Sequence, residues 1–217
     1  DQTATLSVSG GAALALTGGT VTNTGSGTAI TLAAGLSFPA SFATDFRAKT
    51  AVVSSPVPSG YGPVPRSDGY YHLMQSETAG PFLVSGGKAG IDYDYGVSGV
   101  SGTLTVYRDT PLTISMAAGN DYTTDKIVID DGVSANLTLA GVTIDVSSQD
   151  ACALHIGNGT DTPGTGNVKI TLVGDNSLSS GEFHPGLNSI GAAQLTIDGT
   201  GTLTATGGTH SMSGDFF

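Results

Sequence analysis

Three stretches of the chain alternate apolar and polar positions in one order. They are Asn136-Leu137-Thr138-Leu139-Ala140-Gly141-Val142-Thr143-Ile144, Val168-Lys169-Ile170-Thr171-Leu172-Val173-Gly174-Asp175-Asn176-Ser177-Leu178 and Gln194-Leu195-Thr196-Ile197-Asp198-Gly199-Thr200-Gly201-Thr202-Leu203-Thr204. Each reads apolar-Thr-apolar, then a Gly or Asn corner, then a second short alternating run. A period of two marks a strand with one face buried. Two short strands joined by a tight corner, recurring about every 25 residues or more, fit one coil of a parallel β-helix. Leu137, Leu139, Ile170, Leu172, Leu195 and Ile197 are then expected to point inward and stack in columns. Thr-rich alternation also serves an antiparallel sandwich. The corners favour the helix, because they lack the Asn-Gly or Asp-Gly pairs centred between equal strands that mark hairpins.

The pattern divides the chain. Residues 1–36 carry a fainter version, with Leu6-Ser7-Val8, Leu14-Ala15-Leu16 and Thr28-Ala29-Ile30-Thr31-Leu32, and read as edge coils. Residues 37–96 break it. Pro39, Pro56, Pro58, Pro63, Pro65 and Pro81 fall there, with Phe38, Phe42, Phe46, Phe82 and most tyrosines. So much apolar surface argues against a structureless loop, and the segment reads as an inserted cap or small β subdomain. Coils resume over 97–217, interrupted by a polar excursion at 157–167. No window has the spacing and caps of a helix. The chain starts at Asp1 and stops within the repeating pattern, so it is read as a fragment of a longer protein or a processed form.

Composition narrows the partners. The 217 residues include 33 glycines, which suit many tight corners, and only 12% are charged. Seven basic residues against 18 acidic give a net charge of −11. Nucleic acid needs a basic patch and is not expected. No apolar run is long enough for a membrane span. The single cysteine, Cys152, excludes an intrachain disulfide. It reads as a small buried side chain, and its odd step to His155 would put the two on opposite faces of a regular strand. His72, His155, His184 and His210 lack metal-ligand spacing.

Acidic residues gather at corners, with Asp121 and Asp125 flanking one and Asp130-Asp131-Gly132 forming another. Calcium takes six to eight oxygens, and Asp121, Asp125, Asp130 and Asp131 are the candidate ligands. Aspartate also occupies turns because it bonds its own backbone, and no Asp-x-Asp-x-Asp-Gly run is present. No other cofactor is expected. A lyase or hydrolase needs a placed base or paired carboxylates. Lys126 and Lys169 sit at strand starts, where a solvated charge suffices to explain them, so a polysaccharide lyase-like enzyme is the least favoured class.

The phrases Asp125-Lys126-Ile127-Val128-Ile129, Val142-Thr143-Ile144-Asp145-Val146, Ala151-Cys152-Ala153, Leu172-Val173-Gly174-Asp175-Asn176 and Gly199-Thr200-Gly201-Thr202-Leu203-Thr204-Ala205-Thr206-Gly207-Gly208, in this order, carry a resemblance. Asp92-Tyr93-Asp94-Tyr95 and Thr110-Pro111-Leu112-Thr113-Ile114-Ser115 extend it. The chain resembles carbohydrate-binding-type β-helical modules of large surface and secreted proteins from anaerobic, mostly Gram-positive bacteria. The resemblance implies a right-handed parallel β-helix, an extracellular or cell-surface location and an adhesin-like polysaccharide-binding role, sometimes with calcium. It supplies no catalytic residues. Tyr61, Tyr70, Tyr71, Tyr93 and Tyr95 are the candidate sugar-stacking side chains, since a phenol offers a ring face and a hydroxyl. Each also has the simpler reading of packing. The expectation is therefore an all-β, non-catalytic polysaccharide-binding module. The competing class is a structural or self-assembling fibre element, whose exposed strand edges further modules or subunits would cover.

Overall fold

The computed structural model describes residues 5–6, 20–23, 30–32, 45–48, 53–54, 60–66, 68–157, 166–190 and 192–209. Most of the excursion at 157–167, His210, Phe38, Phe42 and Pro39, Pro56 and Pro58 lie outside them. The described residues are all-β, without a helix, and most strand pairs are parallel. Accordingly, no described helix is long and apolar enough to cross a membrane. The chain divides into two compact units, Asp1–Glu77 and Thr78–Phe217.

The first unit holds β1 (Thr5–Leu6), β2 (Thr20–Asn23), β3 (Ile30–Leu32), β4 (Asp45–Ala48), β5 (Val53–Ser54), β6 (Tyr61–Pro65) and β7 (Tyr71–Ala79), whose last two residues belong to the second unit. β3 pairs in parallel with β1 and β5, as β2 does with β4. β7 runs antiparallel to β4 and β6. Val64 and Leu73 are buried there.

The second unit opens with β8 (Phe82–Ser85) and β9 (Tyr93–Ser98). Its remaining strands come in sets of three. The first set is β10 (Ser101–Val106), β11 (Leu112–Met116) and a single bridging residue, Thr123. The second is β12 (Lys126–Ile129), β13 (Asn136–Ala140) and β14 (Thr143–Asp145), and the third is β15 (Leu154–Ile156), β16 (Gly166–Val173) and β17 (Asp175–Ser179). The fourth is β18 (Leu187–Asn188), β19 (Ala192–Gly199) and β20 (Thr202–Thr206). The last three sets each contribute one strand to each of three parallel ladders, β10-β12-β15-β18, β11-β13-β16-β19 and β14-β17-β20, and the first contributes two strands and the Thr123 bridge. No antiparallel pair occurs among the described residues of 124–206.

The alternation explains the register. Leu112, Leu137, Ile170 and Ile197 align across one ladder, and Ile114, Leu139 and Leu172 align two residues on. Leu104, Ile127 and Leu154 align across the second ladder, and Ile144 and Leu178 across the third. All these side chains except Ile197 are buried in one core. Each buried Leu or Ile contributes about 1.5–3 kcal/mol over an exposed one. Leu195 is only half-buried and Ile197 is 43% exposed. Both were expected to point inward. They lie on the last strand of their ladder, which no further described strand covers.

A buried polar residue holds one corner. Asn176 accepts a hydrogen bond from the Val142 N–H at 2.9 Å, and its amide donates to the carbonyls of Val173, Gly174 and Thr202. It thereby ties three successive sets together and satisfies backbone groups that would otherwise be orphaned. The corner glycine before it, Gly174, has φ +64°, a conformation that L side chains rarely adopt. The parallel array is entered through antiparallel strands: β9 pairs with β10, and β8 with β11. The β9–β10 turn has Gly99 at φ +67°, as a two-residue hairpin loop with Gly first requires. The Asp92-Tyr93-Asp94-Tyr95 lead-in is thus the outer strand of a hairpin that covers one edge of the array.

Candidate functional site

The five candidate tyrosines are not gathered at one place. In the first unit, Tyr61 faces Gln75 and Tyr71 faces Pro65, at opposite ends of the β6–β7 ladder, about 13 Å apart at ~3.3 Å per residue. The Arg47 guanidinium lies 5.1 Å over the Tyr70 ring and pairs with Asp68 at 3.3 Å, while His72 meets the same carboxylate at 3.0 Å. In the second unit, Tyr93 is fully buried in the core. That corrects its reading as a sugar-stacking residue, because it has no accessible ring face.

Tyr95 and Asp125 were candidates for different ligands, and the fold joins them. The Tyr95 hydroxyl donates to Asp125 Oδ2 at 2.6 Å, and the Gly102 N–H donates to Asp125 Oδ1 at 2.7 Å. A Cβ at Gly80 or Gly102 would collide with the Tyr95 ring or hydroxyl, so the two glycines form its seat. Burial, and then Asp125, push the phenol up to about 12. The pair is a strut between the β9–β10 hairpin and the segment before β12.

The other candidate calcium ligands are dispersed. Asp130 accepts a hydrogen bond from the Asp131 N–H within its own turn, and Asp121 and Asp131 are exposed. Among the described residues, no group of three or more His, Cys, Asp or Glu is placed to hold a metal ion.

An open groove of the second unit lies where two loops of successive sets meet. The first loop, 147–150, follows β14; the second, 181–184, follows β17. Gln149 anchors the first. Its side chain accepts from the Ser101 hydroxyl at 2.7 Å and donates to the Thr124 carbonyl at 2.8 Å. Gly181 sets the spacing, because any Cβ there would run into the Gln149 carbonyl oxygen. The second loop is a four-residue turn closed by the His184 N–H on the Gly181 carbonyl at 3.1 Å.

Phe183 occupies the third position of that turn at φ +66° and is 65% exposed. It is the one described non-glycine residue with positive φ. A bulky side chain there costs on the order of 1–3 kcal/mol, a strain that concentrates at ligand clamps. Phe183, Glu182, Ser147, Ser148, Gln149 and Asp150 line a groove of about 340 Å³. An apolar ring thus stands beside carboxylates and hydroxyls.

Asp150 and His184 form the rim between this groove and a second cavity. The His184 Nε2 lies 2.9 Å from Asp150 Oδ1. The cavity, about 240 Å³, is lined by Lys126, His155, His184, Asp150 and Cys152, among others. Cys152 and His155 therefore share one site, against the strand-parity expectation. The reason is local: Cys152 precedes β15, so it is not bound by strand alternation. The Cys152 Sγ lies 3.1 Å from the Leu154 carbonyl and 2.9 Å from that of Pro185, and burial pushes its thiol up. Burial, followed by the Lys126 and His184 charges, holds His155 below its ordinary value.

No protein-family model, curated protein or solved structure matches the chain.

Proposed function

We propose that residues 101–206 form a right-handed parallel β-helix and that the protein is a non-catalytic extracellular or cell-surface module that binds polysaccharide. Support for the helix comes from strands returning to the same three ladders with parallel register throughout. Aligned positions recur at Thr103 and Lys126, Ile127 and Leu154, and Leu154 and Leu187. The handedness follows from the strong preference of parallel crossovers for the right-handed path. The observation that carries the binding reading is Phe183, an exposed aromatic in a strained conformation beside polar side chains. Sugars present an apolar ring face and a rim of hydroxyls. A ring flanked by carboxylates and hydroxyls matches both.

The test is a glycan array probed with the 217-residue chain, with and without calcium. Binding to a discrete class of polysaccharide is expected, and silence across plant, algal and host glycans removes the reading.

A second reading, a self-assembling surface or fibre element, is favoured by the other end of the array. β18, β19 and β20 each end their ladders among the described residues, and Ile197 on β19 is exposed. Strand edges of this kind template further pairing. Light scattering separates the two, since growth with concentration in the absence of glycan belongs to the assembling element.

A further inference from the structure

On a chain with 7 Lys and Arg against 18 Asp and Glu, three nitrogen bases converge on one cavity: Lys126, His155 and His184. Lys126 begins β12, and His155 lies on β15, the next strand of the same ladder, facing Val128. Val128 and His155 are partly exposed, between buried neighbours, so they belong to the outer face of the ladder. Lys126 makes no ion pair among the described residues. Lys169, the other lysine of the parallel array, does pair, with Asp198 at 3.0 Å.

We infer that this cavity receives the anionic group of an acidic sugar unit, carboxylate or sulfate, whose chain lies along the Phe183 groove. The inference rests on the polysaccharide-binding reading above. At about 240 Å³, the cavity is smaller than the ~300–1,000 Å³ of pockets that enclose a drug-sized ligand. It suits one charged substituent, with the rest of the chain outside. The way outside is the groove, because Asp150 lines both spaces and Glu182-Phe183-His184 runs from one into the other. Asp150 already pairs with His184, while Lys126 and His184 act on His155 as like charges, and an anion beside His155 and Lys126 offsets that repulsion. Cys152 adds no charge, since burial keeps its thiol protonated.

The inference gives a sign for pH. The charged groups facing His155 are Lys126, His184 and Asp131, and Asp150 faces His184. A bound anion raises the His155 value from below its ordinary 6.5, so binding tightens as pH falls through the range in which His155 takes up its proton. Each unit of rise adds up to about tenfold in affinity.

The experiment compares polygalacturonate, alginate, hyaluronan and carrageenan oligomers with their carboxyl-reduced or desulfated counterparts by calorimetry, on the wild type and Lys126→Gln. His155 is titrated by NMR with and without each charged oligomer. The charged form of at least one pair is expected to bind about tenfold or more tighter than its neutral form. Lys126→Gln should erase that difference, and the His155 titration should move upward. Binding confined to the uronates assigns carboxylate, and binding confined to carrageenan assigns sulfate. Equal affinity for charged and neutral forms, with Lys126→Gln unchanged, overturns the inference while leaving the polysaccharide reading intact. Failure of every oligomer to bind overturns the inference, and the glycan array, which carries neutral polysaccharides as well, decides the binding reading separately. The wild-type titration keeps the inference testable should the variant fold poorly, because a His155 that does not move in saturated complex also overturns it.

Discussion

Two corners of the second unit are each built on an aromatic side chain and acidic neighbours, and they end in opposite roles. At the β9–β10 hairpin, Tyr95 is seated on two glycines and its hydroxyl is held by Asp125. At the 181–184 turn, Phe183 is turned outward in a backbone conformation that costs energy, beside Glu182 and Asp150. The first corner uses its polar groups on itself. The second turns its ring outward to the groove, while its Asp150 carboxylate is shared with His184 on the rim. Residue type alone therefore does not separate a strut from a site. Hydrogen-bond partners and backbone strain do.

The comparison breaks most visibly through Tyr93, which lies on the same strand as Tyr95 and is fully buried. Tyr93→Ala should cost about 3–5 kcal/mol in urea unfolding, the scale for removing a large core ring. Little or no loss would mean that the hairpin is not integral to the core.

Next comes Asp125→Ala, which strips the partner from the Tyr95 hydroxyl and from the Gly102 N–H. Leaving such groups unpaired costs about 1–3 kcal/mol. The same strut responds to alkali. Its phenol is raised from 10.0 to about 12, so its contribution is full below about pH 10. It is lost as pH rises through about 12, because the unfolded chain releases the proton first. Tyr95→Phe should flatten that decline in stability.

The smallest stability effect belongs to the other corner, with the opposite sign. Phe183→Gly removes a strain of about 1–3 kcal/mol and incurs about 0.5–1 kcal/mol of glycine entropy. Thermal unfolding should show a variant as stable as the wild type or more so, by about 1 kcal/mol. Destabilisation would identify Phe183 as a packing residue.

The alternation of Leu137-Thr138-Leu139 and Ile170-Thr171-Leu172 made these strands and their buried faces legible in the sequence, because period two is imposed by the strand itself. Ile197 has the same local pattern and is exposed, because burial also depends on a neighbouring strand that no local pattern records. Asn176 was legible as a corner, though its bonds to three sets arise only when the sets stack.

The site was less legible. Gly181-Glu182-Phe183-His184-Pro185-Gly186 reads as a turn from its Gly and Pro content, but nothing in it signals that the aromatic takes positive φ. The meeting of Lys126 with His155 and His184 spans two successive sets and depends on stacking register. The tyrosines drew attention because their chemistry suits sugars, yet Tyr93 and Tyr95 are spent on the core and on a strut.

The most direct measurement of the contrast is one glycan array probed in parallel with the wild type, Phe183→Gly and Tyr95→Phe. The expected result is the same polysaccharide class bound by the wild type and Tyr95→Phe, with the Phe183→Gly signal reduced about tenfold or more, as loss of the ~1.5–3 kcal/mol gained by burying a Phe side chain implies. Undiminished binding by Phe183→Gly, or binding lost instead in Tyr95→Phe, would contradict the assignment of the groove as the site.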